Sequence, residues 1–187
     1  MNGQQDVCAL LRVCPYSHEN LKKLFVEFSK ATEEFIEAKL HAIFFKDYFI
    51  ELEAKTIVVE GPYTDRDFLD DHGRYYLKCF RNIEKTTFRF HFFKVDISED
   101  QFRSFLEKEP KEKCSEILGS NYLGFIVVKP LMQTIIGRTC LKTYDESTDR
   151  HYHIRHRYNV NLFGIDLTVD SLAFQEQDSV VAACATS

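Results

Sequence analysis

Tryptophan is missing from this 187-residue chain, and methionine (two), proline (four) and glycine (seven) are scarce. So few chain breakers argue against a flexible linker or a low-complexity tract, and no internal repeat is visible. No run of about eighteen apolar residues occurs, so no membrane-spanning helix is expected. The opening Met1-Asn2-Gly3-Gln4-Gln5-Asp6 lacks both a basic stretch and an apolar core, so no secretory signal is expected either. The expectation is a cytoplasmic protein of bacterial type. Positive charge is short: 24 Lys and Arg face 29 Asp and Glu, giving a net charge of −5. That balance argues against general nucleic-acid or anionic-membrane binding, although a local basic patch is compatible with it.

Cysteine is present but unpatterned. The six cysteines, at 8, 14, 79, 114, 140 and 184, include no C-x-x-C, and a disulfide framework is not expected in a chain this long without a signal peptide. Five sit among apolar neighbours and read as small core residues. Asp65, Asp67, Asp70, Asp71 and His72 crowd together, but acidic residues gather at helix starts for dipole reasons and the EF-hand spacing is absent. Neither a metal nor a cofactor is expected.

What the chain has in abundance is phenylalanine (seventeen) and tyrosine (nine), within a hydrophobic fraction of 44%. Rings of this size suit a sheet packed against helices. Ser17 reads as an N-cap before one long amphipathic helix over about 18–38, with Leu21, Leu24, Phe25, Phe28, Phe35 and Ile36 on its apolar stripe. Before it, residues 6–14 fit a short strand or a helical turn. Ala42-Ile43-Phe44-Phe45 is ambiguous between strand and helix, whereas Thr56-Ile57-Val58-Val59 before Gly61-Pro62 reads as a strand. Thr64 with Asp67 resembles a capping box and predicts a helix to about Phe80.

Thr86–Asp96 alternates, with Phe88, Phe90 and Phe92 on one face and Arg89, His91 and Phe93 on the other. Ser98 and Gln101 predict a capped helix, and a second short helix ends near Gly119. Tyr122–Val128 is apolar throughout, as expected of a strand covered on both sides. Ile136–Leu141, a long strand over 150–163 and Ile165–Val169 complete the series. The fold class expected is α+β: a mixed or mainly antiparallel sheet with packed helices, helix-rich over 15–119 and a β-meander over 120–170.

Two stretches carry candidate chemistry. In Arg150–Tyr158, His151, His153, Arg155 and Arg157 share one face of the predicted strand. Three readings stand: a solvated sheet face, a pair of metal-binding histidines, or a contact for an anionic ligand or single-stranded nucleic acid. Ile136-Gly137-Arg138-Thr139 does not match a phosphate cradle, and Arg138 reads instead as a structural ion-pairing residue.

The second stretch is Phe174–Ser187, in which Gln177 and a polar turn precede Cys184 among small apolar residues. A cysteine on the first turn of a helix is favoured as thiolate by the dipole and free N–H groups. Phe174, Gln177-Asp178 and Ala183-Cys184-Ala185 resemble the nucleophile segment of papain-like cysteine peptidases. Tyr122–Leu131, Ile136–Thr139 and Val160–Gly164 resemble bacterial proteins that join an N-terminal α+β region to a papain-like C-terminal half.

The resemblance covers roughly residues 40–187 and implies Cys184 as nucleophile and Gln177 as oxyanion donor. Here the Gln–Cys separation is seven, one more than the common arrangement, and no aromatic residue directly follows the cysteine. The family also needs a histidine base and an Asn or Asp after the cysteine, and none of the seven histidines follows Cys184. The resemblance therefore implies an accessory domain over 1–170 and the start of a truncated catalytic segment over 171–187, with the catalytic half as missing partner. The rivals are a non-enzymatic anion-binding domain and an oligomerisation domain whose apolar C-terminal stretch is covered by a second copy.

Overall fold

A computed structural model describes residues 10–80, 82–145 and 151–176. Five strands form one sheet in sequence order: β1 (Leu10–Pro15), β2 (Thr56–Tyr63), β3 (Thr87–Phe93), β4 (Tyr122–Val128) and β5 (Ile136–Leu141). Each neighbouring pair is antiparallel. The connections carry the helices: α1 (His18–Phe28), α2 (Glu33–Glu37) and α3 (Leu40–Glu51) between β1 and β2, α4 (Arg66–Arg74) between β2 and β3, and α5 (Glu99–Lys108) with α6 (Lys111–Ser120) between β3 and β4. A separate hairpin of β6 (His156–Leu162) and β7 (Ile165–Ser171) completes an α+β fold.

Two interiors flank the sheet. On one face Ile57, Val59, Phe90, Phe92, Ile126 and Ile136 meet α1, α2 and α3. On the other Val58, Phe93, Phe125 and Val127 meet residues of α5, α6 and the β6–β7 hairpin. β4 is buried at all seven positions because both layers and both neighbouring strands cover it. Gly124 is required within it: φ is +108° and an added Cβ would lie 2.0 Å from the Cys140 carbonyl oxygen. The hairpin closes through Phe163 (φ 50°) and Gly164 (φ 87°), the two left-handed residues of a type I′ turn. Arg138 forms the expected structural ion pair, its Nη2 lying 2.6 Å from an Asp67 carboxylate oxygen.

The structure corrects three expectations and settles one that was open, each through local chemistry or a long-range partner. The helix predicted over 18–38 is two helices: the Ser29 backbone is extended, its hydroxyl accepts from the Ala31 N–H, and the Thr32 hydroxyl caps α2 by accepting from Phe35. Such side-chain-to-backbone bonds compete with helix continuation. The ambiguous Ala42–Phe45 lies inside α3. The first turn of α4 is capped by Asp65, which accepts from the Phe68 N–H, and the helix ends at Arg74 before a 3₁₀ turn over Tyr76–Lys78.

The long strand expected over 150–163 shrinks to β6. His156 pairs with Ser171, after which the partner chain leaves the hairpin and bridges β5 through Phe174 and Thr139. A strand cannot extend past its partner, so 151–155 are irregular.

Candidate functional site: an aromatic cleft beside the exit of the chain

Helix α3 carries apolar residues on every side. Ala42, Phe45, Tyr48 and Phe49 point into the core, yet Leu40, Ile43, Phe44 and Ile50 are 81%, 58%, 51% and 62% exposed. A helix of this kind is held by tertiary packing rather than by amphipathicity, and it offers apolar surface outward as well. Where it passes β5, a half-open cleft of about 400 Å³ forms. Its walls come from α3 (Phe44, Phe45, Tyr48), from Leu141 and Tyr144 at the end of β5, and from Leu172 and Phe174 after β7. The remaining lining includes Tyr152, His41 and Lys142.

The walls are fixed. The Tyr48 hydroxyl donates to the Lys142 carbonyl, and burial pushes its acidity well below that of an ordinary phenol. Its ring lies 5.3 Å from Tyr144 and 5.6 Å from Phe44, and His41 lies 5.3 Å from Phe174, centroid to centroid. A polar hollow of about 210 Å³ adjoins the cleft and shares Lys142, Thr143 and Tyr144 with it. Arg155, Asp145 and Asp170 line its far side.

Just beyond the cleft the chain is clamped to β5. Phe174 N–H donates to the Thr139 carbonyl at 2.9 Å, and Thr139 N–H donates back at 2.6 Å. Two residues on, Glu176 N–H donates to the Ile136 carbonyl at 3.2 Å, and its carboxylate accepts from Ile136 N–H at 3.2 Å. The Lys39 ammonium pairs with the other carboxylate oxygen, both side chains being largely buried. The residue that follows this clamp is Gln177.

Of the sequence-predicted site residues, Gln177 and Cys184 lie outside the described residues. His151 and His153 are exposed and precede β6, so they do not share a strand face with the arginines. Arg157 is engaged by Asp170 through two hydrogen bonds of 2.9 and 3.1 Å, and Arg155 lines the polar hollow. Among the described residues no group of three His, Cys, Asp or Glu side chains is placed to hold a metal ion. The described cysteines behave as core residues: Cys114 and Cys140 are buried, and burial pushes the Cys140 thiol up to about 11 and raises Cys14 as well.

The sequence reading missed a second polar constellation, buried beneath the β6–β7 hairpin. The Arg89 guanidinium lies 2.6 Å from a Glu60 carboxylate oxygen, donates to the Asn161 carbonyl and stacks over the Tyr63 ring at 4.3 Å. His91, fully buried, links the same carboxylate (3.2 Å) to the Tyr122 hydroxyl (2.8 Å). Burial drives His91 down to about 4, despite the Glu60 carboxylate that accepts a hydrogen bond from it. Burial alone would raise Glu60, but His91 and Arg89 outweigh it and hold the carboxyl below its ordinary value.

At neutral pH this assigns a neutral imidazole whose Nε2–H donates to Glu60 and whose Nδ1 accepts from Tyr122. Every member has a partner, so the cluster ties the hairpin to the sheet. The signal was the placement of Arg89 and His91 on the face opposite three phenylalanines, a face that is also buried.

No family model matches the chain, and no curated protein or solved structure matches it.

Proposed function

We propose that residues 10–176 are a substrate-positioning accessory domain of a cysteine hydrolase, a peptidase or amidohydrolase of papain-like type. In this reading Cys184 attacks a substrate carbonyl and Gln177 donates its side-chain amide to the resulting oxyanion. A histidine base and its orienting Asn or Asp come from chain beyond Ser187. The observation that supports the reading is the clamp at Phe174–Glu176, where three backbone hydrogen bonds and a shielded ion pair fix the chain immediately before Gln177. Catalysis needs its nucleophile held to within about an ångström, and a segment that starts from a fixed point beside a concave cleft meets the first condition for that.

The test is covalent labelling of the full-length protein with a peptidyl epoxide, located by mass spectrometry, alongside hydrolysis of model anilide and ester substrates. Cys184 is expected to label at least about tenfold faster than the half-buried Cys79. Cys184→Ala is expected to abolish hydrolysis, and Gln177→Ala to lower kcat by about 10²–10³. Hydrolysis that survives Cys184→Ala removes this function.

A further inference from the structure

We infer that the cleft between α3 and β5 is the subsite that selects substrate, and that it takes one bulky apolar side chain, aromatic or branched aliphatic, of a peptide or acyl-amide substrate. The inference rests on the hydrolase reading for what the ligand belongs to, but not for the binding itself. A concavity of about 400 Å³ lies within the range of small-ligand sites and is too small for a docked helix. Phe44, Leu172 and Phe174 remain 51%, 49% and 44% exposed around it, so an entering ring or branched chain gains contact on several sides.

The cleft is also preformed. Tyr48 is buried and hydrogen-bonded at the base, and its ring contacts with Phe44 and Tyr144 hold neighbouring walls in place. A ligand therefore meets a wall that needs little ordering on binding. The lining is mostly rings and leucines, and its Lys142 and Thr143 border the adjoining polar hollow. That division suits a substrate with an apolar side chain and a polar backbone. Position supplies the final argument: Phe174 is a wall residue, and Gln177 follows it by three positions. A side chain seated against Phe174 lies beside the clamp at Phe174–Glu176, after which the cysteine-bearing segment follows in sequence.

The experiment is an NMR titration of the full-length Cys184→Ala protein, in which turnover cannot interfere, with N-acetylphenylalaninamide and with N-acetylglycinamide. The phenylalanine compound is expected to saturate at one site, perturb the Leu141 and Leu172 methyl signals, and bind at least about tenfold more tightly than the glycine compound. Phe44→Ser combined with Leu172→Ser should remove that preference. Ile50→Ser, also on the exposed side of α3 but outside the cleft, should leave it intact.

Equal binding of the two amides, or an Ile50→Ser effect as large as the double variant, overturns the inference. So does a cleft already filled by another part of the chain or by a second copy, seen as cross-relaxation to the cleft methyls without added ligand. Should Cys184 label with the epoxide while the cleft discriminates nothing, the inference falls and the hydrolase reading stands. Should the cleft discriminate while Cys184 proves inert, the hydrolase reading falls and an apolar-ligand site remains.

Discussion

Along β3 the side chains alternate between two largely apolar interiors, to which the strand contributes residues of opposite character. Phe88, Phe90 and Phe92 enter a layer of helices and other rings, where Phe92 stacks on Phe49 with centroids 4.0 Å apart. Arg89 and His91, one residue away on either side of Phe90, enter an equally dry interior but bring charge and hydrogen-bonding capacity with them. The first face gains from dispersion and area alone, which are non-directional and tolerate repacking. The second is directional: Glu60 comes from β2, Arg89 and His91 from β3, Tyr122 from β4 and the Asn161 carbonyl from β6. The hairpin's share in it is the Asn161 carbonyl, which accepts from Arg89. The difference teaches that apolar packing fills both faces, while the Glu60 cluster adds a directional link from the second face to the β6–β7 layer.

The largest effect is expected where the apolar face is densest. Phe92 is fully buried against Phe49, and Phe92→Ala removes the ring and leaves a cavity that the sheet can only partly close. The expected loss is about 3–5 kcal/mol, read as a lower urea midpoint at unchanged slope. A loss under about 1.5 kcal/mol would mean that the helices collapse into the space, and that this face is as forgiving as a liquid interior.

Acid separates the faces as well, because the fully buried His91 lies on the second. Folding holds His91 below its ordinary 6.5, at about 4, so as pH falls the unfolded chain takes up the proton first. The stability contributed by His91 is complete above about pH 6.5 and declines to a floor near pH 4, a change of about 3 kcal/mol. Glu60, also held below its ordinary value, adds a further loss below about pH 4.5. His91→Gln keeps a donor for Glu60 and an acceptor for Tyr122 but cannot titrate. The comparison is urea unfolding of both proteins at pH 7 and pH 4.5. A pH dependence that is the same in both would take His91 out of the account.

Elements whose determinants are local were legible in the sequence. The Ser17 cap accepts from Asn20 as its position implied, the Ser98–Gln101 capping box is present in both directions, and the β3 alternation and the all-buried β4 follow from spacing. What long-range geometry decides was not legible. The length of β6 depends on where β7 departs toward β5, and the aromatic cleft exists only because α3, Tyr144 and Phe174, far apart in sequence, converge. The Glu60 network was hidden for the same reason, since its members read singly as ordinary strand residues. In the candidate site, Gln177 and Cys184 stand out through resemblance alone, whereas the cleft beside their segment has no short sequence signature.

The smallest of these effects tests how the helices on the two faces are held. α5 is amphipathic, with Phe102 buried and a polar outer side, and its start is secured by the Ser98 hydroxyl accepting from Gln101 N–H while the Gln101 side chain accepts from Ser98 N–H. α3 has no side-chain cap and depends on packing all along its length. Ser98→Ala strips α5 of one satisfied donor without touching the core, so the expected loss is about 1 kcal/mol, and Ser98→Gly should lose only a few tenths. In a chain of this size that corresponds to a melting-temperature drop of about 2–4 °C. Hydrogen exchange should accelerate in the first turn of α5 and stay unchanged in α3. If the amides of α3 or of β1, which α5 also touches through Glu99 and Val13, lose protection as well, α5 is a structural brace of the sheet rather than a cover for the interior on its second face.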